Sequence, residues 1–175
     1  VGIHFCTAGF SAGQIIDDPD PLKILADNGI TAFRMGYFRG DPDDVGAALD
    51  AAHEQMQQVA TICGDIGVKC VYQVHHGTLI PSATGAHYLT RGLPAEAVGV
   101  MLDPGNQAFE GFEKWQRSAG LLGDRLAAIG VKDAAYSRDL LSTDGERKGW
   151  SLGWAPLYEG VTNWSDLVRS LKKID

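Results

Sequence analysis

The run Val98-Gly-Val-Met-Leu102 ends abruptly in Asp103-Pro-Gly-Asn106, and a stretch typical of a helix follows over Glu110–Trp115. A short run of strand formers bounded by turn residues is typical of a strand that is buried on both faces. In a parallel sheet covered by helices, the carboxyl ends of the strands carry the functional side chains. This feature therefore predicts a parallel α/β sheet with a polar site after the strand.

The rest of the chain repeats this alternation. Strands are predicted over Val1–Cys6, Ile30–Tyr37, Val68–His75, Val98–Asp103 and Arg125–Val131. Helices are predicted over Pro21–Asn28, Asp43–Ile66, Ser82–Arg91, Glu110–Leu122 and Asn163–Ile174, and residues 133–162 are predicted to form a long irregular loop. Five parallel strands with helices between them fit either a doubly wound open sheet or a (β/α)8 barrel.

The length of the chain and its glycine patterns bear on this choice. We find no GxGxxG or P-loop pattern, so a nucleotide-binding open sheet has no direct support and no nucleotide cofactor is expected. A complete (β/α)8 barrel typically needs about 250 residues, whereas this chain has 175. If the fold is a barrel, residues 1–175 are expected to form a single domain that is a piece of one.

Charge and cysteine content exclude several classes of partner. The net charge of −7 has no compensating basic cluster, which disfavours nucleic acid. No apolar run approaches the roughly 18 residues of a membrane span, so no membrane partner is expected. Cys6, Cys63 and Cys70 are odd in number and form no CxxC pair, which favours a reducing cytoplasm.

Four segments, in order, resemble one superfamily. They are Val68-Lys-Cys-Val-Tyr-Gln-Val-His-His76, Val98-Gly-Val-Met-Leu-Asp-Pro-Gly-Asn106, Arg125-Leu-Ala-Ala-Ile-Gly-Val-Lys-Asp133 and Leu157-Tyr-Glu-Gly-Val-Thr-Asn-Trp164. They are similar to strands five, six and seven and to the turn before strand eight of the sugar phosphate isomerase/epimerase superfamily, the xylose isomerase-like TIM barrels. The resemblance implies a partial (β/α)8 barrel, a fragment that lacks the first two strands and the last. Unpaired strand edges invite pairing, so a homo-oligomer is a further expectation.

The resemblance also implies a chemistry. Members of the superfamily isomerise or epimerise a sugar, sugar acid or sugar phosphate by proton transfer next to a carbonyl group, and they usually use a divalent metal such as Mn, Mg, Co or Zn. Asp103 carries over as a metal ligand, with His75 as a second donor. Gln73 stands where the family commonly has Glu, and Gly130 stands where it has a histidine ligand. The implied metal site is therefore depleted.

Strand alternation predicts which side chains share the site, because alternate residues of a barrel strand point inward. The predicted site contains Arg34, Gln73, His75, Asp103, Asn106 and Lys132, and Trp154 of the predicted loop joins it as a candidate for stacking on a sugar ring. Lys132 and Gln73 are the candidate catalytic residues, with Lys132 stabilising a developing enolate without a metal. Arg34, His75, Asn106 and Trp154 are candidate substrate contacts. Glu159 is a candidate for a supporting role outside the site.

Plainer interpretations remain open at the same positions. Asp103 before Pro-Gly can be a turn former, and Lys132-Asp133 can be a surface ion pair or a turn. Arg34 can be a structural cation, and Trp150 and Trp154 can pack the loop instead of stacking on sugar. At the level of function, a non-catalytic sugar-binding protein on the same fold is the main alternative. An abasic-site endonuclease shares the barrel, but the charge and the missing ligands count against it.

Overall fold

The computed structural model describes residues 4–41, 43–139 and 149–174. The first half of the chain forms β1 (Phe5–Cys6), α1 (Ala12–Asp17), α2 (Asp20–Asp27), β2 (Ala32–Arg34), α3 (Val45–Ile66) and β3 (Lys69–Gln73). The second half forms α4 (Ala83–Thr90), β4 (Val98–Leu102), α5 (Pro104–Phe109), α6 (Trp115–Leu122), β5 (Leu126–Ile129), β6 (Asp133–Asp139), β7 (Gly149–Ala155) and α7 (Trp164–Leu171). The first three residues of the predicted strand Val1–Cys6 lie outside the described residues.

Strands β1 to β5 form one parallel sheet in strictly sequential order. The pairs Cys6–Phe33, Phe33–Cys70 and Val71–Gly99 fix the register between neighbouring strands. A doubly wound sheet reverses its strand order at a switch point, whereas a (β/α)8 barrel adds each strand beside the previous one. The sequential order therefore confirms a partial TIM barrel and excludes the doubly wound alternative.

The main core lies between the sheet and the helices that cover its outer face. It contains the side chains of Phe33, Cys70, Tyr72, Val98, Val100 and Leu102 from the strands, together with Met56, Val59, Cys63 and Leu89 from α3 and α4. Alternate strand residues, among them Arg34 and Gln73, point to the other face, because successive side chains of a strand alternate. The outer face thus carries the packing, and the inner face is left for polar groups.

Local sequence signals set the ends of the long helices. Asp44 caps α3 by accepting a hydrogen bond from the Ala47 amide, and Gly67 ends the helix in the left-handed conformation at φ 81°. Asn163 caps α7 through the Asp166 amide, as its sequence predicts. Among the helices that the structure describes, none is both long and apolar enough to cross a membrane.

The predicted helix Glu110–Leu122 is wrong in its first turn and a half, because the helix begins only at Trp115. Gly111 adopts a left-handed φ of 80°, and a Cβ there would lie 2.7 Å from the Pro81 carbonyl oxygen. The chain therefore turns close against the backbone of the preceding loop and cannot be helical at this point. Two short helices, α1 and α5, were not expected from the sequence.

The prediction of an irregular loop over residues 133–162 is also wrong for much of its length. β6 and β7 pair in antiparallel fashion from Asp133–Ala155 to Asp139–Gly149, forming a two-stranded ribbon separate from the main sheet. Residues 140–148 of the predicted loop lie outside the described residues. The ribbon begins at the carboxyl end of β5 and rises beside α5, so it borders the edge of the sheet where the site is expected.

Candidate functional site

A continuous chain of polar contacts runs along the carboxyl edge of the sheet. Arg34, at the end of β2, donates from Nη1 to the Tyr37 hydroxyl at 2.9 Å. The Tyr37 hydroxyl donates to Gln73 Oε1 at 2.7 Å, and Gln73 Nε2 donates to Asp103 Oδ2. Side chains from three neighbouring strands and the loop after β2 are thereby held in one network.

Asp103 is the centre of this network. Its side chain is fully buried, and Oδ1 accepts a hydrogen bond from the Asn106 amide at 2.9 Å, which caps α5. Oδ2 accepts from Gln73 and lies 3.3 Å from Lys132 Nζ. The two carboxylate oxygens therefore have different roles: Oδ1 caps α5, and Oδ2 faces the Lys132 ammonium. Such charge-assisted contacts satisfy a buried anion that would otherwise be costly.

Lys132 brings a fixed positive charge to the same point. Its ammonium donates to Asn106 Oδ1 at 3.1 Å and lies 4.6 Å from the centre of the Trp154 ring. The side chain is 36% exposed, whereas that of Asp103 is fully buried. Lys132 thus stands between the buried carboxylate and solvent, where it can meet an incoming ligand.

Two glycines make room for this ion pair. A Cβ at Gly130 would lie 2.7 Å from Asp103 Oδ2, so the carboxylate occupies the space that a side chain at this position would need. A Cβ at Gly105 would lie 2.9 Å from both the Lys132 stem and the Trp154 ring. Contacts this short do not occur at real Cβ atoms, so both glycines are required by the arrangement as it stands.

The two adjacent histidines extend the network. Asn106 Nδ2 donates to the Val74 carbonyl at 3.1 Å, which leaves Oδ1 as the acceptor for His76 Nδ1 at 2.9 Å. His75 Nδ1 donates to the His76 carbonyl at 2.7 Å. Each neutral imidazole therefore carries its proton on Nδ1 and a lone pair on Nε2.

Burial, above all, lowers the pKa of His75 from its ordinary value of 6.5. The hydrogen bond to the His76 carbonyl and the charge of Asp103 oppose this, and the charges of His76 and Lys132 add to it. His75 is consequently neutral at pH 7. A neutral imidazole with a lone pair on Nε2 can accept a proton.

Aromatic rings border the polar network. His76 stacks on Phe109 with 4.7 Å between ring centres, and Phe109 lies 4.8 Å from Trp154 of the ribbon. On the other side, Tyr37 lies 4.6 Å from His75. Burial raises the pKa of the Tyr37 hydroxyl, so this group stays protonated and keeps donating to Gln73.

The structure places all seven predicted site residues at this edge. Arg34, Gln73, His75, Asp103, Asn106, Lys132 and Trp154 all contact one another directly or through Tyr37 and His76. Sequence reasoning missed Tyr37, His76 and Phe109. Tyr37 falls three residues after Arg34, just beyond a strand end, which is the available signal for it. Glu159 is exposed, with no side-chain hydrogen bond among the described residues.

Asp133 does not form the surface ion pair with Lys132 that was one interpretation of Lys132-Asp133. It is buried, and its carboxylate accepts hydrogen bonds from the Ala134 amide at 2.8 Å, the Thr162 hydroxyl at 2.9 Å and Trp164 Nε1 at 2.8 Å. A Cβ at Gly160 would overlap this carboxylate. Asp133 therefore fastens the segment before α7 to the base of the ribbon.

The donor set does not fit a divalent metal. Within the described ranges no group of three or more His, Cys, Asp or Glu side chains converges as metal ligands would. Asp103 is the one carboxylate in the network, and both of its oxygens already accept hydrogen bonds from Gln73 and the Asn106 amide. The Lys132 ammonium lies where a cation would balance its charge. Mg and Mn sites are built from several oxygen ligands, which these residues do not supply.

Comparisons with known proteins identify the fold. The profile of the xylose isomerase-like TIM barrel family matches residues 20–175. The chain is similar to a xylose isomerase-like TIM barrel protein from Mycobacterium smegmatis in complex with magnesium, with 16% identity, a TM-score of 0.60 and coverage of 93% of this chain and 55% of that one. No curated protein matches the chain.

Two further solved structures are similar at the level of the fold. The probable 3-DHS dehydratase AsbF from Bacillus anthracis shares 18% identity with a TM-score of 0.64, covering 98% of this chain and 65% of that one. The 3-keto-D-glucoside 4-epimerase YcjR from E. coli shares 12% identity with a TM-score of 0.63, covering 99% and 68%. The chain thus spans less than two thirds of the length of both the M. smegmatis protein and AsbF.

Proposed function

The chain belongs to the xylose isomerase-like TIM barrel family, and we propose that it is a sugar isomerase or epimerase. The substrate class is a small sugar, sugar acid or sugar phosphate, and the reaction moves a proton on the carbon next to a carbonyl group. The observation that carries the proposal is the Lys132 ammonium, held between Asp103 and Asn106 where the strands end.

The balance of charge at the site supports this chemistry. Arg34 and Lys132 bring two positive charges to a network whose one carboxylate is Asp103. This local excess of positive charge stands in a chain of net charge −7. It favours a ligand that is anionic or that becomes anionic during the reaction, such as an enolate or a sugar acid.

His75 is the proposed base. Nε2 takes the proton from the carbon beside the carbonyl, the C–H electron pair forms the carbon–carbon double bond of an enolate, and the negative charge moves to the carbonyl oxygen. Lys132 stabilises that oxygen through its ammonium. Protonation of the same carbon from its opposite face by a water molecule gives epimerisation, with the proton on His75 passing to solvent. Delivery of the proton from His75 to the neighbouring carbon, with an accompanying proton shift between the two oxygens, gives isomerisation.

Asp103 acts through Lys132 in this proposal. The carboxylate fixes the ammonium and the start of α5 at once, because Oδ2 faces Lys132 and Oδ1 caps the helix. Gln73 holds Oδ2 from the other side, and its amide cannot itself act as a base. A pre-oriented cation costs no reorganisation when charge develops on the substrate, which is the main source of electrostatic catalysis.

Isotope exchange tests the proposal. Ketoses, sugar acids and sugar phosphates are incubated with the protein in D2O, and proton NMR follows deuterium incorporation beside the carbonyl. We expect exchange with at least one substrate, and a loss of about 100-fold in Lys132→Gln, the size typical of removing one stabilising donor. Lys114→Gln, which removes an exposed lysine next to α6, is the matched control. Equal exchange in both variants would contradict the role of Lys132.

A second candidate function is a sugar-binding protein without catalysis. It is favoured by Gln73 and Gly130, which stand where the superfamily is expected to have a carboxylate and a histidine. The same samples separate the two candidates. Measurable sugar binding with no exchange in any substrate supports binding alone, whereas exchange supports the enzyme.

A further inference from the structure

The β6–β7 ribbon carries its large side chains on one face. Residues directly opposite each other in an antiparallel pair share a face, and the face alternates along each strand. The register puts three pairs on the same face: Ala134 with Trp154, Tyr136 with Leu152, and Arg138 with Trp150. The other face carries small residues such as Ala135, Gly153, Ser137 and Ser151, with the two serine hydroxyls 2.9 Å apart.

The large-residue face is continuous with the candidate site. Trp154 belongs to it, and the ring of Trp154 lies over the Lys132 ammonium and 4.8 Å from Phe109. From there the face leads outward along the ribbon, first to Tyr136 and then to Trp150. We name these three rings, Trp154, Tyr136 and Trp150, the ribbon aromatics.

The ribbon aromatics are each more than half exposed, although Trp154 also contacts Lys132 and Phe109. Tyr136 is 57% exposed, Trp150 is 67% exposed and Trp154 is 55% exposed. Trp150 therefore does not pack this segment against the rest of the protein, which is the plainer of the two roles considered for it. Three large rings left in solvent on one side of a ribbon, with serines on the other, mark a surface for binding.

We propose that the ribbon aromatics bind sugar rings beyond the reacting one, so that the substrate is a glycoside or an oligosaccharide of two or more rings. This proposal rests on the proposed function only in assuming that the ring beside Lys132 is the sugar that reacts. The outer rings of such a substrate would stack on Tyr136 and Trp150, while the reacting ring lies beside Lys132.

The spacing and chemistry of the face suit this ligand. Two-residue steps along a strand advance by about 6.6 Å, which is close to the length of one sugar ring. The rings of Tyr and Trp offer flat apolar surface to the C–H faces of a sugar and end in hydrogen-bonding groups. Arg138, opposite Trp150 on the same face, adds donors for hydroxyl groups at the outer end.

Binding measured against chain length tests the proposal. The probes are glucose, galactose, mannose and xylose and their linear di-, tri- and tetrasaccharides, titrated into the full chain with tryptophan fluorescence and calorimetry as readouts. We expect affinity to rise by about 3- to 10-fold for each stacked ring in at least one series. Trp150→Ala and Tyr136→Ala are expected to remove that rise and to leave the affinity for the monosaccharide unchanged.

Controls come from the opposite face of the ribbon. Ser151→Ala and Ser137→Ala change residues adjacent to Trp150 and Tyr136 whose side chains point away, so they are expected to bind every probe as the wild type does. Circular dichroism confirms that each variant folds. An affinity that does not depend on chain length, or an equal loss in the serine variants, overturns the proposal.

Two more outcomes are decisive. If sedimentation shows that Trp150→Ala dissociates a dimer of the wild type, the face is an interface between copies and the proposal is wrong. If length-dependent binding occurs without deuterium exchange in any substrate, the proposed isomerase function fails while the outer sugar site stands. If monosaccharides undergo deuterium exchange but affinity does not depend on chain length, the outer sugar site fails while the proposed isomerase function stands.

Discussion

Asp103 directly follows β4 and Asp133 begins β6, and both aspartates are buried, yet their surroundings differ in kind. Asp133 accepts from neutral donors, the Ala134 amide, the Thr162 hydroxyl and the Trp164 indole, and has no ionic partner among the described residues. Asp103 faces the Lys132 ammonium, which is partly open to solvent.

A buried carboxylate can serve structure or function, depending on its partners. A carboxylate enclosed by fixed neutral donors holds chain segments together and offers nothing to a ligand. A carboxylate balanced by a single, partly exposed cation leaves a charge that a ligand can use. Both aspartates are buried to a similar extent. They differ in whether their hydrogen-bonding and ionic partners are neutral or charged, and in how exposed those partners are.

The largest effect is expected for Asp133→Ala. The change leaves the Thr162 hydroxyl and the Trp164 indole without their acceptor, so we expect a loss of about 3 kcal/mol in the free energy of unfolding. Urea unfolding followed by circular dichroism measures it. Asp133→Asn, which keeps one carbonyl acceptor, is expected to lose less. A loss below about 1 kcal/mol in the alanine variant would remove the structural role of Asp133.

Gly130→Ala is expected to disturb the surroundings of Asp103. The new Cβ would meet Asp103 Oδ2 at 2.7 Å, so the carboxylate must move away from its present place. We expect a loss of about 1–3 kcal/mol in unfolding free energy and weaker sugar binding, because Lys132 loses its anchor. Gly120→Ala is the matched control, since nothing lies within 4 Å of its Cβ position in α6. Equal stability in both variants contradicts the packing argument.

A smaller effect is expected for Thr162→Val, which removes one of the neutral donors to Asp133 without changing the side-chain shape. Loss of a single hydrogen bond to a buried charged group corresponds to about 1.5–3 kcal/mol, of which the backbone amide of Thr162 retains part. Chemical unfolding should place this variant between wild type and Asp133→Ala. Sugar binding at the Asp103 site is expected to be unchanged, and a parallel loss of binding argues against two independent sites.

The smallest effect concerns pH. Because burial lowers the pKa of His75, the unfolded chain binds a proton more readily than the folded one just below pH 6.5. His75 therefore favours folding less as the pH falls below 6.5 and has no such effect above it. His75→Asn, which keeps the donor to the His76 carbonyl, should show a shallower loss of melting temperature between pH 7.5 and 5.5. Exposed His4→Gln serves as the control, and identical slopes for all three proteins contradict the burial of His75.

The sequence predicts the centre of the sheet well because β3 and β4 are runs of mostly buried side chains between turn residues. It predicts the cap at Asn163 because capping is a local interaction. It does not predict β6, where Ala135, Ser137 and Arg138 form no apolar run and the strand depends on pairing with β7. The alternation of side chains along each strand also predicts that most of the site residues lie together at the carboxyl edge of the sheet.

The contacts within the site are beyond prediction from the sequence because they join distant positions. Tyr37 reaches Gln73 across 36 residues, and His76 reaches Asn106 across 30. Nothing local indicates that Asp133 turns toward Thr162 and not toward Lys132. The space at Gly130 likewise has meaning only once the position of Asp103 is known.

The Asp103 carboxylate is balanced by Lys132, so no divalent metal is needed to neutralise it. This balance can be checked by elemental analysis of the purified protein, combined with calorimetric titration of Mn, Mg, Co and Zn. We expect far less than one bound ion per chain and no site-specific heat from the titrations. One tightly bound divalent ion per chain, lost in Asp103→Asn, would contradict it.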